Sequence, residues 1–287
     1  MLSWHEYHKY LKGKQAEEDT ITNRKVDISQ FLTSFSTLEQ QDVDGFVKML
    51  LEKDYKGTTI QRKISSLRDF GKANGVNVIP TVSVPPAERN LAKIHENLME
   101  EGEYREYLDK ILTDEDNSFE GLRAKMIFVM LAYGFRRIGI INITVGGVDL
   151  KSGKFHFLTK KDRFRVLPIV FYKDIIKEYL QARISRDYIN VNNLIVYSYR
   201  NEYKQIRPRE FYDIYYTTLA KVTDREINPH AWRHTFGTRL VDNGMDLDEV
   251  RDAMGHASIN STELYVHLSG ERIRDGLQKF HPSGHKK

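Results

Sequence analysis

The forty residues from Asn228 to His267, NPHAWRHTFGTRLVDNGMDLDEVRDAMGHASINSTELYVH, constrain this chain more than any other part of it. Asn228 can cap a helix and Pro229 suits its first position, where no backbone N–H is missed. Trp232, Phe236 and Leu240 recur at helical spacing and predict a buried stripe. His230 and Arg233, three apart, then share a face turned to a cleft. Gly244 ends this helix, and Met245, Leu247, Val250 and Met254 give the next its apolar side. Gly255 stops the second helix, so His256 falls at a turn. Ser258 or Asn260 opens a last short segment that presents Tyr265.

Arginine's planar fork suits a phosphate, and a tyrosine is a usable nucleophile only where neighbours stabilise its phenolate. A free phenol has a pKa of roughly 10, so about one in a thousand is ionised near pH 7. His230, Arg233, His256 and Tyr265 together therefore point to attack by Tyr265 on a phosphodiester. His230 and His234, four apart, would also suit two ligands of a metal ion. No third ligand follows at a suitable spacing, however, and the chain has no cysteine. Trp232 reads as core, and His267 as either a turn residue or a ligand.

A chain of 287 residues has room for two domains with separate cores. A net charge of +4 and a pI near 8.9 permit DNA binding without requiring it. Charged residues are spread along the chain, so no basic arm is expected. With no cysteine, no apolar run of membrane-spanning length and no signal-peptide pattern, the expectation is a soluble, cytoplasmic, nucleoid-associated protein with no membrane partner.

Residues 1–76 read as all helix, in four patterns. Trp4, Tyr7, Tyr10 and Leu11 mark the first; Ile28, Phe31 and Leu32 the second; Val43, Phe46, Val47, Leu50 and Leu51 the third. In the fourth, Ile60, Ile64, Leu67 and Gly71 share one face, while Arg62, Ser65 and Lys72 point elsewhere and could meet a phosphate backbone. Residues 77–90 hold Pro80, Pro85 and Pro86 and read as an extended linker. From 91 to 287 the helical pattern returns, with MIFVMLAYGF (Met126–Phe135) as a buried central helix. Residues 145–170 alternate with a period of two and predict a small antiparallel sheet of about three strands. Residues 171–225 read as helical with a short strand or loop near Leu194–Tyr199, and there Arg207 and Arg209 could touch phosphate. The fold class is therefore mainly α with a small antiparallel sheet: an all-helical N-terminal domain and an α+β domain.

The segments H-A-W-R-H-T-F, M-G-H-A-S and T-E-L-Y-V-H, in this order and at these gaps, resemble the C-terminal signature of the tyrosine recombinases, H-x-L-R-H-T-F, L-G-H-A-S and Y-x-H. Thr59–Phe70, TIQRKISSLRDF, resembles the last helix of that family's core-binding domain. YGFRRIGIINI is similar to T-G-L-R-x-S-E-L-x-x-L, which puts the first catalytic arginine at Arg136, with Arg137 beside it as a DNA-backbone arginine. Tyr133 stands where threonine is usual, and Ile138-Gly139 where Ser-Glu is common. T-K-K-D-R-F-R-V-L-P-I resembles G-K-G-x-K-x-R-x-V-P-L and puts the catalytic lysine at Lys160, with Lys161 one residue away.

The resemblance extends over nearly the whole chain and is greatest to the compact Xer-type group. It implies Tyr265 as nucleophile, Arg136, His230, Arg233 and His256 on the phosphate, and Lys160 as the acid on the departing 5′-oxygen. It implies strand exchange through a 3′-phosphotyrosyl link and a Holliday junction, with neither metal, ATP nor cofactor. The expected partner is a double-stranded DNA core site, bound as a homotetramer in which a terminal helix carrying Ile273, Leu277 and Phe280 docks on the neighbouring protomer. An accessory protein is left open. The expected role is chromosome or plasmid dimer resolution; the alternatives are an integrase or excisionase of a virus or mobile element, a type IB topoisomerase, and a non-catalytic DNA-binding protein of the same fold.

Overall fold

The computed structural model describes residues 4–14, 16, 18–85, 94, 96–158, 164–186, 189–255, 262 and 265. The chain divides into two compact units, Met1–Asn90 and Leu91–Lys287.

The first unit is built from α1 (Trp4–Gly13), α2 (Glu18–Ser34), α3 (Gln40–Glu52) and α4 (Gly57–Ala73). Tyr7, Ile28, Phe31, Phe46, Leu67 and Phe70 meet in one core, as their helical spacing predicts. Leu32, expected on the buried stripe of α2, is exposed. It stands about 100° round the helix from Phe31, and Ile28 and Phe31 already fill the inner face.

A charged cluster lies inside this unit. Asp27 is 1% exposed and accepts from Lys63 Nζ at 3.0 Å, from Ser66 Oγ at 2.6 Å and from the Arg62 guanidinium. Burial alone would raise the pKa of its carboxyl, but the hydrogen bonds from Ser66, Arg62 and Lys63 outweigh it and the pKa is lowered. Lys63, itself buried, is thereby neutralised.

The second unit begins with α5 (Glu101–Leu112) and α6 (Phe119–Ala132). α6 is buried almost all round, and its two interior cations reach carbonyls: Arg123 Nη1 donates to Val196 O at 3.1 Å and Lys125 Nζ to Asp114 O at 2.5 Å. α7 (Arg137–Asn142) follows a tight turn. Strands β1 (Val148–Asp149), β2 (Lys154–Leu158) and β3 (Phe164–Pro168) then form an antiparallel sheet in that order, with Phe155 paired to Leu167 and Leu158 to Phe164. Phe155 and Leu167 face the core while Leu158 and Phe164 are exposed, the alternation that the sequence shows.

After α8 (Lys173–Ile184) comes a hairpin of β4 (Val196–Tyr199) and β5 (Glu202–Gln205), where one short strand or a loop was expected. Its turn puts Arg200 and Asn201 at φ +50° and +62°, both left-handed. Asn tolerates that region, but Arg-Asn lacks the Asn-Gly signature that announces such a hairpin. α9 (Pro208–Leu219), α10 (Pro229–Asp242) and α11 (Leu247–Met254) complete the described elements. No described helix is long and apolar enough to cross a membrane.

Asp27→Ala would leave buried Lys63 without its counter-charge and should cost about 3–5 kcal/mol, read by denaturant unfolding of the chain. A carboxyl whose folded pKa is lowered stabilises the fold above its unfolded pKa of about 3.9 and loses that contribution as pH falls through the folded value. The wild type should therefore lose stability below about pH 4 more steeply than Asp27→Ala.

Candidate active site

The site is organised on α10. The Asn228 side chain accepts from Ala231 N at 3.1 Å and Pro229 fills the first position, so the helix starts where the sequence predicts. Trp232, fully buried, fixes its rotation. Its indole N–H donates to Tyr215 Oη at 3.0 Å, and that hydroxyl donates to Ile227 O at 2.8 Å.

The next residue, Arg233, is only 5% exposed. It donates to Met254 O at 2.5 Å and to Gly134 O, and it shares a hydrogen bond with Tyr265. One guanidinium thus ties together the end of α11, the turn before α7 and the tyrosine. Gly134 has φ +70°, and a Cβ there would meet Phe236 of α10 at 2.5 Å. That turn sets Arg136 at the N-cap of α7.

Tyr265 is 1% exposed and packs with Val241, Val250 and Met254. Its ring lies over Gly237, where an added Cβ would meet ring carbons at 2.7–2.9 Å. Gly237 stands one turn beyond Arg233, so a single face of α10 supplies both the cation and the space for the phenol. Sequence reasoning missed this seat. A glycine in mid-helix, normally unfavourable by roughly 0.5–1 kcal/mol, was the signal that could have found it.

Burial lowers the pKa of Arg233 to about 10, helped by the charge of Arg136 and opposed by Tyr265. Arg136 is lowered too, by burial, with Tyr265 acting the other way. Among the described residues no carboxylate figures in the charges acting on either arginine. His230 is exposed at the mouth of the cleft, yet the protein packed behind it, and then the charges of Arg233, Arg136 and Arg137, lower its pKa. His234 is lowered further, to about 4, by burial first and then by His230 and Arg233. Its ring is 5.7 Å from that of His230 and 6.0 Å from that of Tyr265, and its Nδ1 is buried with no hydrogen-bond partner among the described residues.

Arg136, Arg137 and His230 line one cleft of about 480 Å³, with Tyr212 and Tyr216 of α9 on another wall. The cleft therefore gathers Arg136 and His230, with Arg233 and Tyr265 behind them. Lys160, Lys161, His256 and His267 lie outside the described residues, as do Ile273, Leu277 and Phe280. Among the described residues no group of three or more His, Cys, Asp or Glu could hold a metal ion.

The candidate DNA contacts divide. Arg62 is ion-paired with Asp27, Ser65 Oγ accepts from Arg24 at 3.4 Å, and Arg207 is engaged by Glu210. Lys72 is exposed, and Arg209 is exposed with Asp213 at 4.0 Å. Tyr133, in the place of a threonine, has a structural use: its hydroxyl accepts from Val170 N and Phe171 N at 2.8 and 2.7 Å and donates to Phe171 O at 3.0 Å. It pins the segment after β3 to the end of α6.

Comparison with known proteins gives this geometry a family. Residues 98–272 match the phage integrase family, and residues 5–73 match the phage integrase N-terminal SAM-like domain. The chain belongs to the phage integrase family. It is a site-specific tyrosine recombinase by that membership, and its relatives are of the Xer type. The tyrosine recombinase XerD of Listeria monocytogenes serotype 4b is 28% identical, over 90% of this chain and 87% of its own length. The tyrosine recombinase XerC of Herpetosiphon aurantiacus is 30% identical, over 88% and 86%. Among solved structures, a XerH recombinase bound to a palindromic difH substrate in a post-cleavage complex shares the fold with a TM-score of 0.70 at 18% identity, covering 94% of this chain and 82% of that one. A lambda integrase dimer bound to a COC′ core site has a TM-score of 0.61 at 13% identity, over 92% and 94%.

In the free recombinase His234 should stay neutral through the ordinary histidine range. A proton NMR titration, with the ring assigned by His234→Gln, should show no shift of this imidazole between pH 7 and about pH 5. A midpoint near 6.5 would contradict its burial.

Proposed function

We propose that this recombinase cleaves and rejoins DNA by attack of Tyr265 on a phosphodiester, leaving a 3′-phosphotyrosyl link. The observation that carries the reading is the pair of arginines, Arg136 and Arg233, drawn toward Tyr265 with no carboxylate to neutralise them among the described residues. A buried cation without a counter-charge favours an incoming anion strongly, because water is no longer there to compete. A phosphate oxygen supplies that charge, and the same cations lower the cost of forming the phenolate.

In this mechanism Arg136 and Arg233 hold the non-bridging oxygens and offset the charge that develops there. His230 and His256 hydrogen-bond the phosphoryl group, and neutral His230 can accept the phenol proton. Lys160 gives a proton to the departing 5′-oxygen. A 5′-hydroxyl of a partner strand then attacks the phosphotyrosine, which restores Tyr265 and forms a new phosphodiester. One phosphodiester replaces another, so the exchange needs neither ATP nor a metal ion. Its setting is a homotetramer on two core sites, with the segment of Ile273, Leu277 and Phe280 docked on the next protomer and the 1–76 domain also bound to the DNA. Lys72 and Arg209 are the exposed cations best suited to the backbone. Dimer resolution of the Xer kind is the role that the resemblance to XerC and XerD favours.

The test is incubation with a nicked duplex bearing a candidate core site, in a chelator, followed by a denaturing gel. Wild type should form a covalent protein–DNA band and Tyr265→Phe none. A band that survives Tyr265→Phe, or that needs a divalent cation, would overturn the reading. Gly237→Ala should keep DNA binding but lower the rate of band formation on the order of 100-fold, because its methyl group takes the space of the phenol ring.

A further inference from the structure

Tyr212 and Tyr216 stand one turn apart on α9 and are 37% and 47% exposed, unusual for two large rings side by side. Their rings stack on one another, with centroids 5.9 Å apart and planes 15° apart. The Arg137 guanidinium lies over Tyr212 at 5.1 Å from the ring centroid. All three line the same cleft as Arg136 and His230. The mechanism above uses none of them.

A cation held on an aromatic face, next to a second ring, suits a nucleotide: the guanidinium takes a phosphate and a ring takes a base. The placement decides which nucleotide. A base inside a duplex has both faces covered by its neighbours and offers nothing to stack on. A base at a strand end freed by cleavage has an open face. Strand exchange requires such an end, because the freed 5′-terminal nucleotides must leave their complement before the 5′-hydroxyl can reach another strand. The cleft wall adjoins the residues assigned to the scissile phosphate, so a released end is the nearest unpaired nucleotide to it.

We propose that Arg137, Tyr212 and Tyr216 form a subsite for an unpaired nucleotide beside the scissile phosphate, in which Arg137, held over Tyr212, takes its phosphate and the more exposed ring, Tyr216, stacks on its base. The subsite rests on the reading of the cleft as a DNA cleavage site. It would hold the released strand end away from its complement, favouring transfer over simple religation. Arg137 thereby gains a role distinct from that of Arg136: its guanidinium meets the neighbouring phosphate, and Tyr212 keeps it turned into the cleft.

The experiment compares two duplexes of equal length, one blunt and one ending in a short unpaired 5′ arm, by fluorescence anisotropy. The Tyr265→Phe protein is used throughout, so that binding is measured without cleavage. It should prefer the forked duplex by about fivefold to a hundredfold, the range for stacking one base on an aromatic ring. Adding Tyr212→Leu and Tyr216→Leu should reduce the preference to near unity, with blunt-duplex affinity and thermal melting unchanged, since both rings are exposed. The matching Phe pair keeps the rings and should keep the preference. Adding Arg137→Gln should weaken binding of both probes and flatten the salt dependence by about one counterion.

A preference that survives the Leu pair, or one that is absent from the starting protein, would overturn the subsite. If the Phe pair lost as much as the Leu pair, the hydroxyls would be contacting phosphates and stacking would be excluded. Because the assay needs no cleavage, a wild-type protein that formed no covalent band but whose Tyr265→Phe form preferred the fork would lose the proposed reaction and keep the subsite.

Discussion

A guanidinium kept out of water, with no carboxylate beside it among the described residues, joins three segments of the second unit. Arg233 is tied to Gly134 O, to Met254 O and to Tyr265, segments that are far apart in the chain and that also pack on one another around Phe236 and Gly237. Two carbonyls satisfy donors but do not cancel a charge, so the cation carries an unfavourable energy that only an anion removes. The N-terminal unit shows the contrasting solution. There buried Lys63 is met by Asp27, and the charge is closed off. The same chain thus pairs one interior cation with a carboxylate and meets others, Arg123 and Arg233 among them, with carbonyls alone among the described residues.

Gly139 stands where the resemblance leads one to expect an acid. Arg136 caps α7, whose N-terminus adds its own partial positive charge, and no carboxylate acts on it among the described residues. Packing and hydrogen bonds fix the backbone on either side of the turn before α7. Tyr133 holds the segment after β3 through three hydrogen bonds, and Gly134 lets Phe236 close on the turn that carries Arg136. The site is therefore more cationic than an acid-containing version would be, which suits a polyanionic substrate.

Much of this was legible in the sequence, and for local reasons. Asn228-Pro229, Gly244 and Gly255 mark helix ends whatever the tertiary context, and α10 and α11 begin and end beside them. The apolar run of α6 and the alternation of β2 and β3 report burial directly. Three features were not legible, two because they depend on a partner distant in sequence and one because its turn lacks the usual residues. Gly237 is there for the ring of Tyr265, Tyr133 for the backbone at Val170 and Phe171, and the β4–β5 turn forces Arg200 into a conformation that its side chain does not advertise. Arg62 and Ser65 are expected from the sequence on a face that could meet a phosphate backbone; Asp27 and Arg24, on the neighbouring helix, also engage them.

Arg233 reaches several acceptors at once through its planar fork, and lysine in its place separates that geometry from charge alone. Lysine keeps the charge but offers a single ammonium on a flexible stem, which cannot span the carbonyls of Gly134 and Met254 and still meet a phosphate. The rate of covalent DNA attachment by Arg233→Lys, measured beside its thermal melting, should fall on the order of 100-fold or more, with a lower melting temperature. Attachment at the wild-type rate with unchanged melting would show that charge alone suffices and that the buried fork does not hold the site together.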